Sequence, residues 1–156
     1  MEKKMELLTV HSGEAEQPFE WSMGKYISKF MTELRDNKKL IGCRCPQCKK
    51  VYVPPREVCG DCFVPPDEIV ELSGKGEIFC FTVLSFGFVD PDTGKQRPVP
   101  YTWAYIALDG ADTCLPHFVE QTDLSVLRVG LRVEPVFEEE RRGHLMDIRH
   151  FTAIKE

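Results

Sequence analysis

The fold of this chain is decided by residues 45–62, which read CPQCKKVYVPPREVCGDC and contain two Cys-x-x-Cys pairs. The first pair is Cys45 and Cys48, the second is Cys59 and Cys62, and ten residues separate them. Each pair can place two thiolates on one side of a tight turn. Together the pairs provide the tetrahedral sulfur set that Zn²⁺ prefers. The spacing therefore predicts a zinc ribbon that holds one zinc ion per chain with these four ligands.

A site with four cysteine ligands leaves no coordination position for a water molecule or a substrate. The predicted metal is therefore structural rather than catalytic. Iron in a rubredoxin-like cage is the chemical alternative, because iron also accepts four thiolates, and the sequence does not distinguish the two metals.

The composition is that of an ordinary globular protein and argues against two classes of partner. The chain has 156 residues, is 42% hydrophobic and 29% charged, and carries a formal net charge of −5. An acidic balance is unfavourable for nucleic-acid binding, because Lys and Arg supply most of that affinity. No apolar run approaches the roughly 20 residues that span a bilayer, and the first residues do not read as a signal peptide. Seven cysteines, four of them in pairs, indicate the reducing cytoplasm.

Four segments are expected along the chain: a flexible arm over 1–19, an N-terminal helix over 20–38, the zinc ribbon over 39–66 and a barrel over 67–156. The helix is indicated by apolar residues at helical spacing, namely Ile27, Phe30, Met31 and Leu34. This apolar face needs a cover that the polar arm cannot supply. It packs on the protein's own ribbon or barrel, or it contacts a partner, and the two alternatives are compatible.

The region after the ribbon contains short β-like segments without a long helix between them. We expect strands over 76–84, 101–108, 113–119, 127–134 and 146–154. Five short strands predict a small closed barrel, for which the OB-fold is the natural candidate. The predicted fold class is therefore mainly β, with an N-terminal helix, a rubredoxin-like zinc ribbon and a five-stranded OB-fold barrel.

The longest irregular stretch is Ser85–Pro100, which joins the first two predicted barrel strands. Long loops in compact domains are usually functional or disordered. The apolar side chains of Phe86 and Phe88 favour a docking loop over a merely solvated one. Together with Trp21 and Phe30 near the helix, they form the predicted set of partner-docking residues.

Two stretches of the chain resemble a known family. Residues 40–59 (LIGCRCPQCKKVYVPPREVC) and 74–78 (GKGEI) are similar to the thiolase-associated zinc-ribbon/OB-fold family. In that family an N-terminal helix precedes a rubredoxin-like ribbon and an OB-fold, and members partner thiolase-fold enzymes that act on acyl-CoA. The resemblance covers roughly residues 20–137 and assigns metal binding to the four paired cysteines. It implies no catalytic residue in this chain.

The resemblance implies a non-catalytic subunit in a hetero-oligomer with a thiolase-fold catalytic subunit. Such a subunit supports assembly and the binding of CoA or acyl-CoA, while thiolytic C–C cleavage takes place in the partner. The overall likeness is greatest to subunits from anaerobic aromatic-compound degradation. It implies benzoylsuccinyl-CoA of toluene degradation as the substrate.

Binding of CoA requires cations that meet its phosphates. The candidates on the ribbon and the long loop are Lys49, Lys50, Arg56, Lys95 and Arg97. None of them belongs to a glycine-rich phosphate cradle. The alternative interpretation is that each of these residues is an ordinary solvated charge.

The remaining cysteines and histidines do not assemble a catalytic site in the sequence. Cys80 and Cys114 fall in predicted strands, where a free thiol usually packs as a small hydrophobe, and Cys43 is inert or a spare ligand. His117 is expected to be a satisfied or interface histidine. It lies three residues from Cys114, on the opposite face of a strand.

The alternative function is that of a zinc-ribbon/OB-fold nucleic-acid-binding protein. Such a protein needs aromatic side chains in a basic groove, on which bases stack. The available aromatic residues in the predicted barrel are Phe79, Phe81, Trp103 and Tyr105.

Overall fold

The structure, a computed structural model, describes residues 8–11, 20–89 and 94–154. Most of the predicted flexible arm over 1–19 lies outside the described residues. Its described part contains β1 (Thr9–His11), which pairs antiparallel with β2 (Glu20–Ser22).

The helix α1 (Gly24–Asn37) begins later than the predicted start at residue 20, because the preceding residues are drawn into β2. It ends where Lys38 adopts a left-handed backbone with φ 55° and donates its N–H to the Leu34 carbonyl over 3.2 Å. Phe30 and Leu34 are fully buried on its inner face. Among the described residues, no helix combines the length and the apolar character required to span a bilayer.

A three-stranded antiparallel sheet supports the ribbon, in the order β4-β3-β5. Its strands are β3 (Leu40–Arg44), β4 (Val51–Tyr52) and β5 (Glu68–Leu72). The strand β5 was not predicted, and it lies beyond the predicted end of the ribbon at residue 66. It nevertheless pairs with the whole of β3, so this segment belongs structurally to the ribbon.

The second sheet closes into a five-stranded barrel in the order β10-β8-β7-β6-β9. Its strands are β6 (Gly76–Leu84), β7 (Tyr101–Leu108), β8 (Cys114–Val119), β9 (Arg132–Phe137) and β10 (Ile148–Ala153). The barrel closes because β10 pairs parallel with β8 and antiparallel with β9. This arrangement confirms the predicted fold class, a zinc ribbon followed by a five-stranded OB-fold.

The fourth barrel strand starts later than the alternation over 127–134 indicates. β9 begins at Arg132, and the residues before it form a turn in which Leu131 is buried but Val129 is 64% exposed. The Leu131 carbonyl accepts the N–H of Ile78 over 3.0 Å. The alternating pattern therefore marks a turn anchored to β6, rather than the start of a strand.

A bulge in β6 changes which side chains face outward. Ile78 pairs with Ile106 and Cys80 pairs with Tyr105, so Phe79 is the extra residue. One extra residue shifts the alternation by one position. Phe79 and Cys80 are consequently both exposed, and the expected packing of Cys80 in an apolar strand is wrong.

The glycine that opens β6 is required by the close approach of β7. A Cβ atom on Gly76 would lie 2.3 Å from the Ala107 carbonyl oxygen and 2.9 Å from the Cα atom of Leu108. No side chain fits in that space, which explains the glycine at position 76.

One hydrophobic core joins the helix, the ribbon sheet and the barrel. It includes Phe30 and Leu34 of α1, Leu40 and Val51 of the ribbon sheet, and Ile78, Ile106, Val133 and Phe151 of the barrel. A second, smaller cluster surrounds the paired cysteines. The ribbon is therefore packed against the barrel and not attached as a separate module.

The charged turn after β9 fastens α1 to the barrel. Arg141 donates from Nε to the Arg35 carbonyl over 2.7 Å and from Nη1 to the carbonyls of Glu138 and Glu139. The turn itself is held by Asp147, which is 4% exposed and accepts three backbone N–H groups, from residues 142–144.

Candidate metal centre

The four paired cysteines converge on one point. Their sulfur atoms all lie within 4.8 Å of one another, and Cys48 Sγ is 3.7 Å from Cys59 Sγ. A tetrahedral zinc ion with Zn–S bonds of about 2.3 Å requires sulfur atoms about 3.8 Å apart. The cage formed by Cys45, Cys48, Cys59 and Cys62 therefore fits the ion that the sequence predicts.

The two cysteine turns are built alike. The N–H of Lys49 donates to the Cys45 carbonyl over 3.1 Å, and the N–H of Phe63 donates to the Cys59 carbonyl over 3.0 Å. Both residues have a left-handed backbone, with φ 64° and 58°. This conformation is uncommon outside glycine. Its repetition indicates that it belongs to the turn that directs each pair of sulfurs to one side.

The surroundings of the cage give its thiols different pKa values. The hydroxyl of Tyr52 lies 3.2 Å from Cys59 Sγ and lowers the pKa of that thiol to about 6. Burial raises the pKa of Cys62 to about 12. The four thiols therefore do not all ionise near neutral pH on their own, and a divalent metal would hold them as thiolates.

Two contacts that the sequence did not reveal support the cage. Lys50 and Asp61 form an ion pair that joins the two cysteine turns. The guanidinium of Arg56 lies 4.5 Å above the ring of Tyr52, in cation–π contact. In the sequence, only its position between the two cysteine pairs could have indicated that Tyr52 contacts the metal site.

Cys43 lies beside the cage but is not part of it. Its sulfur accepts the Arg56 N–H over 3.3 Å, and burial raises the pKa of the thiol. Cys43 therefore acts as a packed, hydrogen-bonded thiol, and not as the spare ligand that the sequence left open.

The ribbon is attached to the barrel through strand β4. Val51 exchanges hydrogen bonds with Asp112, and Val53 exchanges them with Thr113. Sequence reasoning missed both partners, because an Asp and a Thr after a glycine turn give no sign of what they contact.

The predicted CoA-binding cations do not share one set of partners. Lys49 is exposed at the first cysteine turn. Lys50 and Arg56 contact the ribbon, as described above. Lys95 is exposed on the long loop, and the guanidinium of Arg97 lies 3.8 Å above the ring of Phe118 in the barrel. The CoA-binding role of all five remains a prediction.

The predicted docking residues fall into two groups. Trp21 is 44% exposed, Phe86 is 66% exposed and Phe88 is 54% exposed. Phe30 is fully buried in the core that α1 shares with the barrel. Its predicted docking role is wrong, because a side chain without exposed surface has nothing to offer a partner.

His117 is a buried histidine inside the barrel. Its Nε2 lies 3.2 Å from the Leu145 carbonyl, and its ring contacts those of Trp103 and Phe151. Burial lowers the pKa of His117 to about 4, so the ring is neutral near pH 7. Burial also raises the pKa of the nearby Cys114 thiol. The two residues therefore lack the properties of a nucleophile and its base.

Two family models match adjacent parts of the chain. The rubredoxin-like zinc ribbon domain of ChsH2 matches residues 32–68, and the C-terminal OB-fold domain of ChsH2 matches residues 69–138. The boundary between them falls within β5, the strand that pairs with the ribbon.

Similar curated proteins are DUF35 domain-containing scaffold proteins. The one from Methanocaldococcus jannaschii is 30% identical over 114 residues, which cover 72% of this chain and 77% of the relative. The one from Pyrococcus furiosus is 26% identical over 116 residues, which cover 73% of this chain and 81% of the relative.

Two solved structures share the fold. The chain resembles the Ltp2-ChsH2(DUF35) aldolase with a TM-score of 0.60 and 20% identity, over 84% of this chain and 96% of that one. A DUF35 protein of unknown function from Sulfolobus solfataricus also gives a TM-score of 0.60, with 21% identity over 85% of each chain. The fold, the cysteine cage and the matched sequence thus agree, and the chain belongs to the DUF35 family, with the zinc ribbon and OB-fold domains of ChsH2.

Proposed function

We propose that this chain is a non-catalytic, zinc-binding subunit of a thiolase-type acyltransferase complex. The observation that carries the proposal is the exposure of Phe86 and Phe88 on the long barrel loop. Aromatic side chains are enriched in protein–protein interfaces, and a cluster of exposed apolar residues is typical of a contact surface. The loop would contact the catalytic subunit, while the metal ribbon would stiffen the body that presents it.

The family supports a role beside a partner enzyme. The curated relatives are named scaffold proteins, and one similar solved structure is that of an Ltp2-ChsH2(DUF35) aldolase. The sequence resemblance to thiolase-associated proteins favours a thiolase as the partner of this chain. The reducing cytoplasm, expected from the cysteine content, is the compartment in which we place the complex.

The chemistry of six of the seven cysteines supports a non-catalytic role, and the seventh, Cys80, is an exposed thiol on the barrel. Four are committed to the cage and Cys43 is packed beside it. Burial raises the pKa of Cys114. His117 is a poor base for it, because that ring is buried in the barrel and its pKa is lowered to about 4. The reactive thiol and the acid–base groups would therefore belong to the partner.

CoA or acyl-CoA would approach the partner along the ribbon and the long loop. Lys49, Lys50, Arg56, Lys95 and Arg97 would then lie nearest to its phosphates. Benzoylsuccinyl-CoA of anaerobic toluene degradation is the acyl substrate that we propose, on the basis of the sequence resemblance. Thiolytic C–C cleavage of this acyl-CoA, with free CoA as the attacking thiol, by the purified two-subunit complex tests the substrate. Cleavage of only other acyl-CoA esters contradicts the assignment.

The subunit role is tested by co-expression of a tagged thiolase subunit with this chain. We expect the two to co-purify, and we expect the double variant Phe86→Ser, Phe88→Ser to reduce recovery at least about tenfold. The control is Phe79→Ser, which removes a phenylalanine of similar exposure from the barrel bulge and should co-purify normally. The proposal would be contradicted by a thiolase subunit that, without this chain, is soluble and fully active and binds CoA as well as the complex does.

Nucleic-acid binding is the second candidate, because Phe79 is 63% and Tyr105 is 48% exposed on neighbouring barrel strands. These rings could stack on bases. The acidic net charge is unfavourable, and Arg97 already covers the ring of Phe118. A gel-shift titration at low salt separates the two candidates. Tight, salt-sensitive binding of single-stranded DNA or RNA would favour this function over the subunit role.

A further inference from the structure

The hydroxyl of Tyr52 occupies a defined place beside the metal cage. Tyr52 is 4% exposed, and its Oη lies 3.2 Å from Cys59 Sγ. The same oxygen accepts the N–H of Gly60 over 3.3 Å. The hydroxyl is therefore held between the backbone of the second cysteine turn and one of its sulfur atoms.

The direction of the hydrogen bond to sulfur follows from this arrangement. A cysteine that binds a metal does so as a thiolate and carries no proton. The amide of Gly60 already supplies a proton to the hydroxyl oxygen. The hydroxyl proton of Tyr52 is therefore the one that lies between Oη and Cys59 Sγ.

From this geometry we infer that Tyr52 is a positioning residue of the metal site, which donates its hydroxyl proton to the Cys59 thiolate and thereby slows release of the metal. Four thiolates around a divalent ion carry a net charge of −2. A hydrogen bond to one sulfur spreads part of that charge and restrains the ligand. Outer hydrogen-bond partners of metal ligands typically contribute about 10–100-fold to metal affinity. This inference does not rest on the proposed function.

Arg56 strengthens the same contact from the other side of the ring. Its guanidinium lies 4.5 Å from the centre of the Tyr52 ring. A cation above the ring attracts the π-electrons and makes the phenol a better hydrogen-bond donor. The exposed guanidinium thus influences the buried sulfur through Tyr52.

The test compares Tyr52→Phe with Tyr26→Phe in the full-length zinc-loaded protein. Both changes remove one hydroxyl, but Tyr26 donates to the Pro66 carbonyl over 3.0 Å and not to a cysteine. The measurement is the rate of zinc transfer to a chromophoric chelator. We expect an increase of about tenfold or more for Tyr52→Phe and less than about twofold for Tyr26→Phe. Equal rates for the wild type and Tyr52→Phe, or an equal increase in both variants, would overturn the inference.

A spectroscopic readout separates the hydrogen bond from a loss of packing. With Co²⁺ in the cage, the sulfur-to-cobalt charge-transfer band should move to longer wavelength in Tyr52→Phe, because an unbonded thiolate gives up an electron more easily. The band should not move in Tyr26→Phe. Faster release from Tyr52→Phe without this band shift would overturn the assignment.

A second experiment keeps the inference testable if Tyr52→Phe does not fold. The wild-type sequence is produced with 3-fluorotyrosine, whose hydroxyl is more acidic and donates more strongly. We expect the cobalt band to move to shorter wavelength and zinc transfer to slow. An unchanged band in this protein would overturn the inference.

Discussion

The hydroxyl of Thr113 makes two hydrogen bonds with one residue of the ribbon: it accepts the N–H of Val53 over 2.8 Å and donates to the Val53 carbonyl over 3.0 Å. Asp112 bonds Val51 in the same way, through its carboxylate and its backbone N–H. Because β4 is an edge strand, a turn of the barrel completes the pairing that another strand would otherwise supply. These contacts set the orientation of the metal ribbon on the barrel.

Replacing Thr113 with valine should destabilise the protein. The substitution preserves the shape of the side chain but leaves the N–H and the carbonyl of Val53 without their partner. We expect the free energy of unfolding to fall by about 1–3 kcal/mol, measured by urea denaturation of the zinc-loaded protein. The control Thr82→Val, at an exposed strand position, should change it by less than about 0.5 kcal/mol. A similar effect in both variants would contradict the role of Thr113.

Replacing Arg141 with alanine should loosen the attachment of the helix. Its guanidinium bonds the carbonyl of Arg35 near the end of α1 and two carbonyls of its own turn. Loss of these charge-assisted bonds should lower the free energy of unfolding by about 1–3 kcal/mol. The neighbouring Arg142→Ala is the control, because Arg142 is exposed and should cost less than about 0.5 kcal/mol. Hydrogen exchange should be faster in α1 of Arg141→Ala, and unchanged exchange there would refute the attachment.

The buried His117 predicts a loss of stability in mild acid. Its pKa is about 4 in the folded protein against the ordinary value of 6.5. Between these values the unfolded chain binds a proton that the folded chain does not. The contribution to the free energy of unfolding is therefore fully present above about pH 6.5 and falls by up to about 3 kcal/mol as the pH approaches 4.

The pH effect is measured by urea denaturation at several pH values between about 7 and 4. The variant His117→Phe keeps an aromatic ring among Trp103 and Phe151 and should lose this dependence. The variant His150→Gln should retain it. Arg132 lowers the pKa of Asp109 and Arg149 lowers that of Glu138, so these carboxylates begin to lose their own contributions as the pH falls through the ordinary values of 3.8 and 4.5. That loss is common to the wild type and both variants, and the comparison between them isolates His117. An identical pH profile for wild type and His117→Phe would show the prediction to be wrong.

Removing one ligand should remove the metal. We expect about one zinc ion per chain in the purified protein and much less in Cys45→Ser, which should also lose solubility. Elemental analysis for zinc and iron is the measurement, and it distinguishes the two metals that accept four thiolates. The control is Cys80→Ser, since that thiol lies exposed on the barrel. Soluble, folded wild-type protein without either metal would defeat the assignment of the site.

The parts of the fold that follow a local pattern could be predicted from the sequence. The spacing of Cys45, Cys48, Cys59 and Cys62 predicts a metal cage, because the geometry of a tight turn decides where two sulfurs of a pair point. The strand over 101–108 was predicted at its observed bounds, because the Asp109-Gly110 turn ends it and its pairing with β8 has no bulge. Where one extra residue enters a strand, as at Phe79, alternation fails, and the exposure of Cys80 could not be foreseen.

The sequence by itself determined the helix, the five barrel strands, the ligand set and the family of this protein, because periodicity and cysteine spacing are properties of neighbouring residues. Only the tertiary structure decided that β5 belongs to the ribbon, that Phe30 is buried, and that Tyr52 lies against Cys59. Each of these depends on contacts between distant segments. Such contacts are selected by the packing of a shared core and by the pairing of buried polar groups, and no local pattern records them.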